Sequence, residues 1–251
     1  MVTFRNLVRV TAGLCLFLAG ACSAQPGPPA GTTLSELDPP PPGLSRVILV
    51  GDSVAQGHGL AIGAALDAAG VEFHSMASDG GGTVVGPTAD LLWAELPERL
   101  RTAKPSTVIY QITSYDWGTE QEQKAAYERL LTTVRGVGAK LVVVTMPPIR
   151  PDDFYAAHLD ELANAPKVAR KVVGDDAFLD AGEVWGEAYQ STHEGKVDRS
   201  SDGVHTCPQG AARFTVWLLD ELAQRNPGFT PPPPAKWANT GWAGDKRFVG
   251  C

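Results

Sequence analysis

Three short runs of consecutive apolar residues constrain this chain more than any other feature. They are Arg46-Val-Ile-Leu-Val-Gly51, Ser106 to Thr113 around Val108-Ile109-Tyr110, and Lys140 to Met146 around Leu-Val-Val-Val. A strand with one face in water alternates apolar and polar residues. Strands without that alternation must be covered on both faces. Segments of helical periodicity fall between and after them: 55–69, 88–103 with Leu91, Leu92, Leu96 and Leu100 on one side, 120–138, 153–173 and 208–225. Pro166 is expected to break or kink the fourth, whereas Pro208 suits the first turn of the last. Weaker strand signals lie at 71–77 and 177–180. Strand and helix alternate, which predicts an α/β chain: a three-layer α/β/α sandwich around a central, mainly parallel sheet. Ligands of such sheets sit beyond the carboxyl ends of the strands.

The flanks read differently. Arg5 and Arg9 precede an apolar run from Val10 to Ala21, 12 residues long. That is too short to cross a hydrocarbon layer of about 30 Å as a helix, and it fits a secretory signal peptide over 1–21. The run Leu18-Ala-Gly-Ala-Cys22 resembles a bacterial lipoprotein signal, with Cys22 as the acylated residue and Ala19 where Leu is usual. Ordinary cleavage after Ala21, giving a secreted protein, is the alternative. A Pro- and Gly-rich tether spans 22–44, the domain body is expected at 45–225, and Pro231 to Pro234 lies within a tail of residues 226–251. If Cys22 carries lipid, Cys207 and Cys251 remain to pair, in a compartment that permits disulfides. The net charge of −7, with no basic block, argues against a nucleic-acid partner. No P-loop, dinucleotide motif or metal-ligand spacing is present, so no cofactor or metal is expected. In the tail, Trp237 and Trp242 near Asn239 suit either a sugar platform or packing onto the body.

Chemistry concentrates at two places. The first strand ends in Gly51-Asp-Ser-Val54, which sets Ser53 at the sheet's carboxyl edge before a helix N-terminus. Asp52 or Ser53 could equally be a helix cap, and Ala55 rules out a G-x-S-x-G elbow. Just before the last helix stands Asp202-Gly-Val-His205. A serine hydroxyl is a weak nucleophile until a base takes its proton. An imidazole suits that task, and a carboxylate on its other nitrogen fixes the tautomer. His58, His74, His158 and His193 lack such a partner pattern.

Gly51-Asp-Ser53 and Asp202-Gly-Val-His205, in this order and at this distance, resemble the first and last blocks of the SGNH/GDSL hydrolase superfamily. Asp79-Gly-Gly-Gly-Thr83 resembles its glycine block. The third block departs from the pattern: Thr113-Ser-Tyr-Asp116 stands where G-x-N-D is usual, so Tyr115 replaces the asparagine. The resemblance implies a flavodoxin-like SGNH fold with Ser53 as nucleophile, His205 as base and Asp202 as its orienting carboxylate. It implies an oxyanion hole from the N–H groups of Ser53 and Gly81, with Gly82 the alternative, and substrate contacts at Tyr115 and Asp116. Extracytoplasmic SGNH domains linked to bacterial acyltransferases share such departures. The expected activity is therefore that of a serine esterase or O-acyl transferase on acylated envelope glycans or small esters, with an envelope acyltransferase as partner. The rival is a glycan-binding module with a degenerate site. The anchor is directly testable. Cys22→Ala should move the protein from the membrane fraction to the soluble one or block its processing, and metabolic lipid labelling should mark only the parent chain; labelling of neither form would make it a secreted protein.

Overall fold

The computed structural model describes residues 43–251. The signal segment, Cys22 and most of the tether lie outside the described residues. β1 (Arg46–Val50), β2 (Glu72–Ser75), β3 (Thr107–Gln111), β4 (Lys140–Val144) and β5 (Phe178–Leu179) form one parallel sheet in the order β2-β1-β3-β4-β5. The three continuous runs become β1, β3 and β4 at its centre, and their side chains alternate between two cores. Val47, Leu49, Ile109, Val142 and Val144 face α1 (Ser53–Ala68) and α6 (Pro208–Arg225), meeting Ile62, Leu66, Phe214 and Leu218. Ile48, Val50, Val108, Tyr110 and Val143 face the other way, onto α2 (Ala89–Ala103), α3 (Glu120–Gly136) and α4 (Leu159–Val173). Burial on both faces is why the centres of these strands are continuously apolar; the polar Thr107 and Gln111 stand only at the two ends of β3.

The helices obey local rules where those are strong. Thr119 and Glu122 close a capping box at the start of α3, and Pro208 occupies the first turn of α6. Two expectations need correction. Leu91 does not share the buried face of α2: it is 69% exposed, and Trp93 takes its place beside Leu92, Leu96 and Leu100. The helix expected from 153 starts at Leu159, after a 3₁₀ turn at Ala156–His158, and runs through Pro166 unbroken. Proline forfeits one backbone hydrogen bond there, which the burial of Ala165, Val168 and Ala169 against the neighbouring layer offsets. The short α5 (Gly182–Trp185) and a hairpin of β6 (Thr192–His193) and β7 (Lys196–Val197) carry too few residues to show a period. Among the described residues no helix is long and apolar enough to cross a membrane.

The order of strands places the site. From β1 the chain moves outward to β2, then returns past β1 to β3. Loops after β1 and β3 therefore leave in opposite directions and open a crevice between them. Ser53 follows β1 and Ser114 follows β3, so both stand at that switch point.

The tail packs against the body. Trp237 is 1% exposed, sits in the core with α1 and α6, and gives its indole N–H to the Pro232 carbonyl. Trp242 stacks on it with ring centroids 6.4 Å apart. Buried in this way, Trp237 offers no open face to a sugar. Cys207, the N-cap of α6, is joined to Cys251 by a disulfide across 44 positions. The chain-entropy model gives such a closure about 4 kcal/mol as an upper figure. Cys251→Ser should accordingly lower the thermal midpoint by several degrees in non-reducing buffer and make it insensitive to dithiothreitol; an unchanged midpoint would show that the bridge adds nothing to the fold.

Candidate active site

Asp52 organises the nucleophile's loop. Its Oδ1 accepts from the N–H of Val54 at 3.0 Å and from that of Ala55 at 3.5 Å, capping α1. Its Oδ2 accepts from the N–H and the hydroxyl of Ser114, both at 2.8 Å, tying the β1 loop to the β3 loop. Burial raises the carboxyl above its usual value, and these bonds pull it partly back. The cap takes the Val54 and Ala55 donors and leaves that of Ser53 beside the nucleophile. Gly51 is required because a Cβ there would stand 2.5 Å from that of Ala55.

His205 reaches this loop from the other end of the chain. Its Nε2 lies 2.8 Å from Ser53 Oγ, and its Nδ1 lies 2.8 Å from Asp202 Oδ2. The other oxygen of Asp202 accepts from the N–H of Val204 at 2.7 Å and of His205 at 2.9 Å. Partial burial works to raise the Asp202 carboxyl. The Val204 N–H and the His205 ring and N–H outweigh it and hold the group below its ordinary value. An ionised Asp202 on Nδ1 leaves Nε2 as the acceptor that faces Ser53.

Two arginines that sequence reasoning missed hold this loop. Arg199 donates to the carbonyls of Val204 at 2.7 Å, Pro148 at 2.5 Å and His205 at 3.4 Å. Arg150 donates to those of Ser201 at 3.1 Å and Asp202 at 3.0 Å through its side chain, and to that of Gly203 at 2.8 Å through its N–H. Neither arginine carried a motif; only the folded chain brings their guanidinium groups onto carbonyls up to 52 positions away. From behind, the disulfide brings the C-terminus against the same loop: Ser201 N–H donates to the Gly250 carbonyl, and the Ser200 hydroxyl to that of Val249, both at 3.0 Å.

The remaining expected residues divide. The Gly81 N–H bonds to the Ser78 carbonyl at 3.3 Å. Gly82 makes the close approach: with φ +71, a Cβ on it would lie 1.8 Å from the Gly51 carbonyl oxygen. Tyr115 is half-buried beside Tyr155. Burial pushes Tyr155 up to about 12, so it is a neutral donor at ordinary pH. Asp116 is not available to a substrate. It is 0% exposed, and its carboxylate accepts the hydroxyls of Thr83, Tyr110, Thr113 and Tyr127, each at 2.7 Å. It knits the glycine loop, β3 and α3 together behind the site.

His58 lies in the adjoining core. It is buried, with Nδ1 2.8 Å from Gln111 Oε1 and its ring 4.3 Å from that of Phe214. Burial drives its pKa down to about 4; the Gln111 bond opposes this, and the charge on Arg199 adds to it.

No family model matches the chain, and no curated protein does. Solved structures match in fold. A lipase/acylhydrolase from Enterococcus faecalis superposes with a TM-score of 0.53 at 16% identity, covering 75% of this chain and 99% of its own. A catalytic mutant of Axe2, an acetylxylan esterase from Geobacillus stearothermophilus, gives 0.52 at 15% identity, covering 75% and 96%. A family 3 carbohydrate esterase from Clostridium thermocellum gives 0.51 at 16%, covering 72% and 98%. The architecture is thus a parallel α/β sandwich with its crevice at the β1–β3 switch point. More narrowly, the chain has the fold of the SGNH/GDSL-type acylhydrolases and esterases.

The buried imidazole gives a signed expectation. The unfolded chain protonates His58 near pH 6.5, but the folded chain only near 4, so acid favours unfolding. Stability present above pH 6.5 should be lost progressively down to pH 4, by about 3 kcal/mol at most for a shift of this size. Denaturant melts across that range should show a steeper fall for the parent chain than for His58→Gln. Parallel pH dependences would refute a neutral buried His58.

Proposed function

We propose that this chain is an exported serine esterase of the SGNH/GDSL superfamily, acting on O-acyl groups of carbohydrates. The observation that carries the reading is the unbroken relay from Ser53 through His205 to Asp202, with both links at 2.8 Å. In this reading Ser53 Oγ attacks the ester carbonyl while His205 Nε2 takes its proton. The carbonyl π pair moves onto oxygen, and Asp202 stabilises the imidazolium. The Ser53 N–H meets that oxygen. A glycine N–H supplies the second donor, and the engagement of Gly81 by Ser78 favours Gly82 for it. Collapse breaks the ester C–O bond, and the alcohol leaves with the proton held by His205. Water then attacks the acyl-serine with His205 as base, releasing the acid and restoring Ser53.

A sugar hydroxyl in place of that water gives O-acyl transfer, for which an envelope acyltransferase is the partner. Carbohydrate esters are the favoured substrates because two of the matched structures are a carbohydrate esterase and an acetylxylan esterase. The lipoprotein-like Cys22 segment and the Cys207–Cys251 disulfide support export and attachment to the outer face of the membrane. The tyrosine at position 115 is what a non-catalytic glycan-binding module would explain, and one experiment separates the two. Ser53→Ala should lower kcat on acetylated xylose by about 10⁴-fold or more while leaving the melting temperature within a few degrees. Equal turnover by the variant would remove Ser53 from the mechanism, and no turnover by the parent chain would favour the binding module.

A further inference from the structure

Five rings gather on the two loops that follow β3 and β4. Tyr115 and Trp117 come from the first loop, with centroids 5.5 Å apart. Phe154, Tyr155 and His158 come from the second and its 3₁₀ turn. Phe154 stands 5.7 Å from Trp117 and 6.4 Å from Tyr115, and meets Tyr155 edge-on at 4.9 Å. His158 stacks flat on Trp117 at 3.8 Å and is held there by Glu161. Phe154 is nevertheless 57% exposed. The loop is built to present it: the Asp152 carboxylate accepts the N–H groups of both Phe154 and Tyr155 at 3.0 Å. The shelf starts on the loop that carries the nucleophile's support: Tyr115 directly follows Ser114, whose N–H and hydroxyl bond Asp52, the neighbour of Ser53.

Beyond Trp117 the surface falls into a cleft of about 680 Å³, lined by Val85, Trp93, Glu122, Arg129, His158 and Glu161. Its lining decides the occupant. A fatty acyl chain lying there would desolvate the carboxylates of Asp90, Glu122 and Glu161 and the Arg129 guanidinium while offering none of them a hydrogen bond. A chain of sugar rings presents C–H faces to aromatic rings and hydroxyls to charged groups, satisfying both. We propose that Tyr115, Trp117 and Phe154 form a stacking shelf for the ring that bears the ester, and that the cleft receives the next ring of an oligosaccharide. The inference rests on Ser53 as the reacting group only for the placing of the ester; the shelf itself can be examined without catalysis.

Unacylated xylotetraose and N-acetylchitotetraose carry no ester for Ser53 to attack, so their binding to the purified protein reads the shelf alone. Titration followed by tryptophan fluorescence and calorimetry should show saturable binding of at least one of them. Phe154→Ala should weaken it about tenfold, Phe154→Leu should fail to restore it because the ring face is gone, and Phe154→Tyr should restore it. Thermal melts of the three variants check the fold. Binding of neither tetrasaccharide, affinity indifferent to Phe154→Ala, or rescue by Phe154→Leu would overturn the proposal, as would binding of octanoate at the same residues. Loss of ester turnover in the parent chain with tetrasaccharide binding retained would instead overturn the esterase reading and leave the shelf standing.

Discussion

The site depends first on one buried carboxylate. Asp52 is almost fully enclosed, and it is kept there by four hydrogen bonds, two to the first turn of α1 and two to Ser114. Enclosing a carboxylate is costly unless its lone pairs are met, so the two loops at the switch point must close on it together. That closure fixes where Ser53 stands. Behind it a second enclosed carboxylate, Asp116, gathers four hydroxyls from the glycine loop, β3, the loop after it and α3. Breaking one partner of such a cluster leaves the rest unsatisfied, which is why the cluster rigidifies what it joins.

His205 is held by a different apparatus. Arg199 and Arg150 grip the carbonyls of its loop, and the disulfide with the last residues braces it from behind. Nucleophile and base are 152 positions apart, one at the start of α1 and the other just before α6, two helices packed in one core. Each loop has its own set of hydrogen bonds, so the 2.8 Å contact between them reports the packing of distant segments rather than a local turn. Pre-set geometry of this kind is what allows a hydroxyl and an imidazole to react without first searching for one another.

The parts legible in the sequence were those governed by neighbours along the chain. Continuous apolar runs gave the central strands, because burial on both faces favours apolar side chains in succession. Pro208 marked a helix start because a residue without an N–H loses nothing in the first turn. Ser53 and Asp202-x-x-His205 could be read because loop position and residue type are both visible locally. Asp116 was misread as a substrate contact. Its fate is decided by Tyr110, Tyr127 and Thr83, up to 33 positions away, and no local pattern announces them. Leu91 failed for a related reason: α2 rolls to bury Trp93, whose indole N–H reaches the Val84 carbonyl. Arg150, Arg199 and the aromatic shelf are likewise products of loops meeting in space.

The central claim is that Ser53 is a nucleophile activated by His205. Its most direct measurement is covalent titration with a fluorophosphonate, which reacts with an activated serine hydroxyl and not with an ordinary one. Intact-protein and peptide mass spectrometry should show one adduct per chain, confined to the peptide containing Ser53, formed rapidly at neutral pH and suppressed when His205 is replaced by Ala. An unmodified chain after prolonged exposure, or an adduct on another residue, would contradict the account.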